Sequence, residues 1–142
     1  MRAPYARGPW FERFVARGGA VAEDEEAQRL QAAIFDSGTL LPDFLIADVT
    51  LWPALLADPW LRQPKPAALI FDEGEAATHG ARDFTDFKRL LRLWRRREML
   101  RLGARELGWG TTEEVAAELS GFADACVELG YRFCDGELRQ EL

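Results

Sequence analysis

Arg95, Arg96, Arg97 and Glu98 form one run, and Arg101 and Arg105 follow Arg97 at steps of four. On a helix Arg97, Arg101 and Arg105 share a face, and Glu98 lies three residues before Arg101, within ion-pair reach. A guanidinium row of this kind suits phosphate or carboxylate recognition, because each planar group offers a fork of donors. The same row can also form a solvated face, or bond neighbouring helices and carbonyls. Arg97 interrupts an otherwise apolar row, so it is expected to be partly buried and paired. Arg96, Arg97, Glu98, Arg101 and Arg105 are therefore the candidate contacts for an anion or for another domain.

Other residue types that could do chemistry are sparse. Asp83 with Asp86, and Thr111 with Glu114, have the spacing of helix capping boxes and read as caps rather than acid/base pairs. His79 is the one histidine and sits in a Gly-rich polar stretch. Cys126 and Cys134 lie eight residues apart on one predicted helix, about 12 Å along its axis, too far to pair there. They read as small apolar fillers. Without CxxC spacing or a second histidine, a zinc site has no ligand set. There is no Gly-rich phosphate loop and no nucleophile elbow. The sequence assigns no catalytic, cofactor-binding or metal residue.

The elements that must position these residues are helical. An all-α fold is expected, with short N-terminal helices packed on a long antiparallel hairpin. Short helices are predicted near 10–15, 23–35, 42–50 and 53–58, the last two with Pro42 and Pro53 in their first turns. Pro59, Pro64 and Pro66 make PWLRQPKP an extended connector. Ala67 to Phe71 is an apolar run of undecided type, and Asp72 to Arg82 reads as a polar loop. The chain thus divides into a short-helix segment at 1–66, a loop at 67–83 and a hairpin at 84–142.

The hairpin is the clearest prediction. Over 84–107, Leu90, Leu93, Leu100, Ala104 and Leu107 recur at three- and four-residue steps. Over 112–133, Val115, Leu119, Phe122, Cys126, Leu129 and Phe133 do so without interruption. The two helices would be about 36 Å and 33 Å long. Gly108-Trp109-Gly110 is a short link, with Gly108 placed for a left-handed C-cap. Trp52, Trp60, Trp94 and Trp109 are assigned to core or helix-end packing.

The net charge of −6 hides an asymmetry. Residues 81–110 hold nine Lys/Arg and four Asp/Glu, a net of +5, which leaves −11 on the rest. The global field of an acidic chain opposes nucleic acid, so a basic helix within it points to local basic-to-acidic contact inside a larger protein. No apolar run reaches the ~20 residues of a membrane span, and the N-terminal segment has no apolar centre of the signal type. Cytoplasmic residence is the expectation, with no membrane and no nucleic acid as partner.

The stretch LLRLWRRREMLRLGARELGWGTTEEVAAELSGFADACV resembles the helical lead-in of bacterial glutamine synthetase adenylyltransferases, bifunctional adenylyl-transferring and adenylyl-removing enzymes. The family pattern is close to L-R-x-F-R-R-R-E-x-L-R-I-x-x-R-D-L, a turn, then T-x-E-L-S-x-L-A-D-A. Here it reads Leu91 through Leu107, then Ala117-Glu118-Leu119-Ser120-Gly121-Phe122-Ala123-Asp124-Ala125. Trp94 stands in place of Phe, Glu106 in place of Asp, and Gly108-Trp109-Gly110 in place of a Leu-rich turn. Upstream, LPDFLIADVTLWPALLADPWL is similar in style to the family, more loosely.

The resemblance implies a role in nitrogen regulation, with glutamine synthetase and the nitrogen-regulatory PII protein as partners. It implies Mg2+ and ATP for the whole enzyme. Its nucleotidyltransferase domains use a D-x-D carboxylate pair, and this sequence contains none, so no catalytic residue carries over. The chain is expected to be a non-catalytic N-terminal helical portion that docks on the nucleotidyltransferase domain of its own polypeptide. The alternative is a stand-alone helical adaptor that binds an acidic protein or an anionic ligand through its basic helix.

Overall fold

The computed structural model describes residues 5–141. Residues 1–4 and 142, which belong to the segments expected at 1–66 and 84–142, lie outside the described residues. Seven helices and no strand account for the described chain, an all-α fold. They are α1 (Pro9–Ala16), α2 (Glu25–Asp36), α3 (Leu40–Ala47), α4 (Leu51–Ala57), α5 (Ala67–Thr78), α6 (Phe84–Gly108) and α7 (Thr112–Glu141).

Local chemistry explains several boundaries. Asp24 opens α2 by accepting a 2.8 Å bond from the Ala27 amide. Asp83 does the same for α6 through Asp86 N, and Thr111 for the start of α7 through Glu114 N. Pro42 and Pro53 stand third in α3 and α4, where a missing N–H costs no intrahelical bond. Between Asp58 and Lys65 the chain is irregular, as the prolines require.

Two cores share α6 as their spine. The first joins α1–α4 to the C-terminal half of α6, with Phe14, Ile34, Leu45, Trp52 and Leu61 packed toward Leu100 and Ala104. The second joins α5, α6 and α7 around Ile70, Phe87, Trp94, Phe122 and Leu129. Ring contacts order the last pair: Phe87 with Phe133 at 4.6 Å and Trp94 with Phe122 at 4.9 Å. At the far end Arg105 meets Glu114. Rising numbers on α6 thus meet falling numbers on α7. Among the described residues no single helix is long and apolar enough to cross a membrane, and the apolar pair α3 and α4 is bent by 108°.

Several expectations are corrected. The loop expected at 67–83 is mostly helix: α5 fills 67–78 and only the short link to Asp83 is irregular. Gly74, inside the stretch expected to be a polar loop, is a contact glycine within α5. A Cβ there would lie 2.6 Å from Trp94 Cη2 and 2.8 Å from Leu129 Cδ1, so its absence lets α5 seat against both later helices. Gly108 is an ordinary helical residue rather than a left-handed cap, and α6 closes with Trp109 N and Gly110 N both donating to Arg105 O. Gly110 is the residue that must lack a side chain, since a Cβ would meet Val115 at 2.8 Å and Arg105 at 3.1 Å. The last helix continues eight residues past 133, to Glu141.

The apolar rows also shift. Leu93 and Leu107 on α6 and Leu119 on α7 are exposed, while Trp94, Glu98, Arg101 and Arg105 are buried. The bulk of Trp94 and the pairing of the charged residues turn α6 toward its neighbours by about one residue from the all-leucine face.

Candidate functional site

The connector between α4 and α5 creates a polar problem that the charged residues of α6 solve. An extended, Pro-rich segment has no ladder or helix to take its carbonyls, and buried backbone polar groups need partners. Leu61 is fully buried and Lys65 nearly so. Arg105 Nη1 donates to Leu61 O at 3.1 Å, and Arg101 Nη1 reaches Trp60 O at 3.4 Å. Two guanidiniums therefore supply the donors that the connector's own backbone lacks.

Their remaining donors converge on two carboxylates. Glu118 of α7 accepts from Arg101 Nη1 at 2.7 Å and from the Lys65 amide at 2.8 Å through Oε1, and from Arg105 Nε at 2.8 Å through Oε2. Glu98 of α6 accepts from Lys65 Nζ at 2.8 Å and from Arg101 Nη2 at 2.9 Å. Glu73 of α5 and Glu114 of α7, both partly exposed, close the rim on Lys65 and Arg105. Three buried cations thus face two buried carboxylates and two rim carboxylates. One network ties the connector, α5, α6 and α7 together at the point where the two cores meet.

Burial alone would raise the Glu118 carboxyl. The Lys65 amide, the bonds from Arg101 and Arg105 and the charge of Arg101 outweigh it, so the group is held below the usual glutamate range. Burial pushes Arg101 down, but hydrogen bonds and charge from Glu98, then Glu118, raise it above the ordinary arginine value. Every oxygen of Glu98 and Glu118 is taken by a cation or an amide. For Glu118, held below the usual glutamate range, these bonds favour the ionised form. The arrangement ties the connector, α6 and α7 to one another through buried ion pairs.

The five residues singled out from sequence divide sharply. Glu98, Arg101 and Arg105 come together in the network, and the predicted ion pair of Glu98 with Arg101 forms. They are at most 4% exposed and turned into the chain's own interior rather than toward a partner. Arg97, expected to be partly buried and paired, is exposed. It lines a polar cleft of about 500 Å³ with Asp58, Lys65 and Glu73. Arg96 is half-buried on the opposite side of α6.

Sequence reasoning missed Lys65, whose position between two prolines in an exposed-looking connector gave no sign of burial. It also left Glu118 out of the candidate set, although Glu118 falls within the resemblance. His79 is exposed, as expected for a loop residue. Cys126 is half-buried with its thiol pushed up by burial, whereas Cys134, read as a filler, is exposed. Trp94 is buried with no partner for its indole N–H. Among the described residues no group of three or more His, Cys, Asp or Glu is placed to hold a metal ion.

Comparison with known proteins returns no identity. No family model, no curated protein and no solved structure matches the chain.

Proposed function

We propose that the chain is the N-terminal helical region of a glutamine synthetase adenylyltransferase, a structural lead-in to the nucleotidyltransferase part of the same polypeptide. One observation carries this reading. Four of the charged positions of the resembled pattern, Glu98, Arg101, Arg105 and Glu118, meet in the buried network, while Arg92, Arg95, Arg96, Arg97, Glu106 and Asp124 lie outside it. A pattern of charges spanning 21 residues from first to last has a physical reason to exist if those charges must find each other in the folded state. The region itself is non-catalytic in this reading. Mg2+, ATP, glutamine synthetase and the PII protein belong to the activity of the whole enzyme.

Docking then falls to surfaces other than the network. Val127, Tyr131 and Leu138 are 73%, 67% and 60% exposed and lie on one outward stripe of α7, opposite its buried face. An exposed apolar stripe on the last helix is a surface on which following chain can pack.

The test is an AMP-transfer assay on the native polypeptide, isolated with an antibody raised against residues 5–141. With labelled ATP, Mg2+ and glutamine synthetase, label should pass to glutamine synthetase, and the 142-residue chain alone should transfer none. Absence of both transfer and removal in the native polypeptide would end this reading.

A further inference from the structure

One face of α6 is basic in its first half and apolar in its second. Lys88, Arg92, Arg95 and Met99 follow one another at steps of four, three and four, and Gly103 continues the row. Lys88, Arg92 and Arg95 are exposed, with Arg96 beside them. Lys88 sits over the Phe84 ring, and among the described residues no ion pair takes up Arg92, Arg95 or Arg96. The pairs that α6 does form use Arg89, Arg101 and Arg105 on other sides of the helix.

Past Met99 the same face becomes the floor of a groove of about 390 Å³ between α3, α6 and α7. Leu41, Leu102 and Val115 line it, and Leu40, Leu107 and Leu119 stand on its edges. Those three edge leucines are 57%, 41% and 43% exposed, so the large exposed apolar side chains of this region gather at one place. Gly103 has a reason to be glycine there, since a Cβ would lie 2.7 Å from Leu41 Cδ1 and push α3 away. Basic and apolar halves each extend about 12 Å along the helix.

We propose that this face docks an acidic amphipathic helix of a partner protein, with apolar anchors in the leucine groove and carboxylates along Lys88, Arg92, Arg95 and Arg96. The inference stands independently of the adenylyltransferase reading. Charge complementarity selects the occupant: three guanidiniums without internal partners lie in line with a groove sized for aliphatic side chains. Glu106, exposed at the apolar end, repels acidic residues there and so fixes the direction in which the partner helix lies. A net charge of −6 disfavours an extended polyanion, which would have to approach the whole chain. A helix with a few carboxylates and two or three anchors avoids that cost.

The test uses the 142-residue chain and a fluorescein-labelled peptide of about four helical turns, with leucines in two turns at one end and glutamates in two turns at the other. Saturable binding that weakens with salt is expected. The pair Arg92→Glu and Arg95→Glu should weaken it by about tenfold or more. A peptide with lysines replacing the glutamates should bind that variant better than the parent. Leu40→Asp should abolish binding without unfolding the chain, since Leu40 is exposed and an acidic residue suits the first turn of α3.

Circular dichroism checks that each variant keeps its helices. Equal affinity for the acidic and basic peptides, or no binding at all, overturns the proposal. Self-association in the ultracentrifuge that Leu40→Asp disrupts would assign the groove to a second copy and overturn it too. Adsorption to phosphatidylglycerol vesicles in preference to the peptide would do the same for a lipid surface.

Discussion

Replacing Glu118 by Gln removes one negative charge from between two buried guanidiniums and leaves the volume unchanged. The parent carboxylate accepts from Arg101, Arg105 and the Lys65 amide. A Gln oxygen can keep the bonds at one side of the group, but its amide nitrogen then faces a guanidinium donor on the other. Hydrogen bonds to charged groups contribute about 1.5–3 kcal/mol each, and breaking a buried pair costs about 3–5 kcal/mol. Arg101 retains Glu98, and Arg105 retains Leu61 O and Glu114, so the low end applies, about 3 kcal/mol. For a domain of this size that corresponds to a fall in Tm of roughly 6–12 °C. Urea titration followed by circular dichroism reads it, with an unchanged slope confirming the same extent of unfolding. The control is Glu128→Gln, whose pair with Arg132 is half exposed and should change stability by less than about 0.5 kcal/mol. A Glu118→Gln variant as stable as that control would refute the claim that the network holds the two cores together.

Acid should weaken the fold in a defined direction. The Glu118 carboxyl is held below its ordinary range in the native state, so its contribution is fully present above that range. As pH falls, the unfolded chain takes up the proton first and stability declines until the native carboxyl is protonated as well. Melting temperature against pH should show this decline, and Glu118→Gln should flatten it. Gly74→Ala should lower stability by about 1–2 kcal/mol, because the new methyl collides with Trp94 and Leu129. Gly130→Ala, in open space within α7, should raise it by about 0.5–1 kcal/mol, and thermal melts of the two should move in opposite directions. Thiol titration with an aromatic disulfide reagent should label exposed Cys134 quickly and Cys126 slowly, since burial covers the second thiol and raises its pKa. Equal rates would show that α7 does not pack as described.

The parts of the fold legible in the sequence were those governed by local rules. Capping residues at Asp83 and Thr111, prolines in the first turns of α3 and α4, and the long periodic rows of α6 and α7 all act within a few residues of themselves. What was not legible depended on distant contacts. Gly74 looks like a turn residue until Trp94 and Leu129 press against it. Leu93 looks like core until the bulk of Trp94 and the pairing of Arg101 and Arg105 rotate the helix. From the sequence the basic run could contact an anion or another domain, form a solvated face, or bond neighbouring helices and carbonyls. Its inner half does the last of these and supplies the donors that the proline-rich connector requires, a need set by residues some 40 positions earlier. Lys65 carried no local signal because its two carboxylate partners come from α5 and α6.

The most direct test of the central claim is the size of the native polypeptide, read by immunoblot of source cells with the antibody against residues 5–141. A band far above 16.1 kDa is the result expected of a lead-in region joined to nucleotidyltransferase domains. A single band at 16.1 kDa would contradict the claim, because the chain would then end before any segment able to transfer AMP.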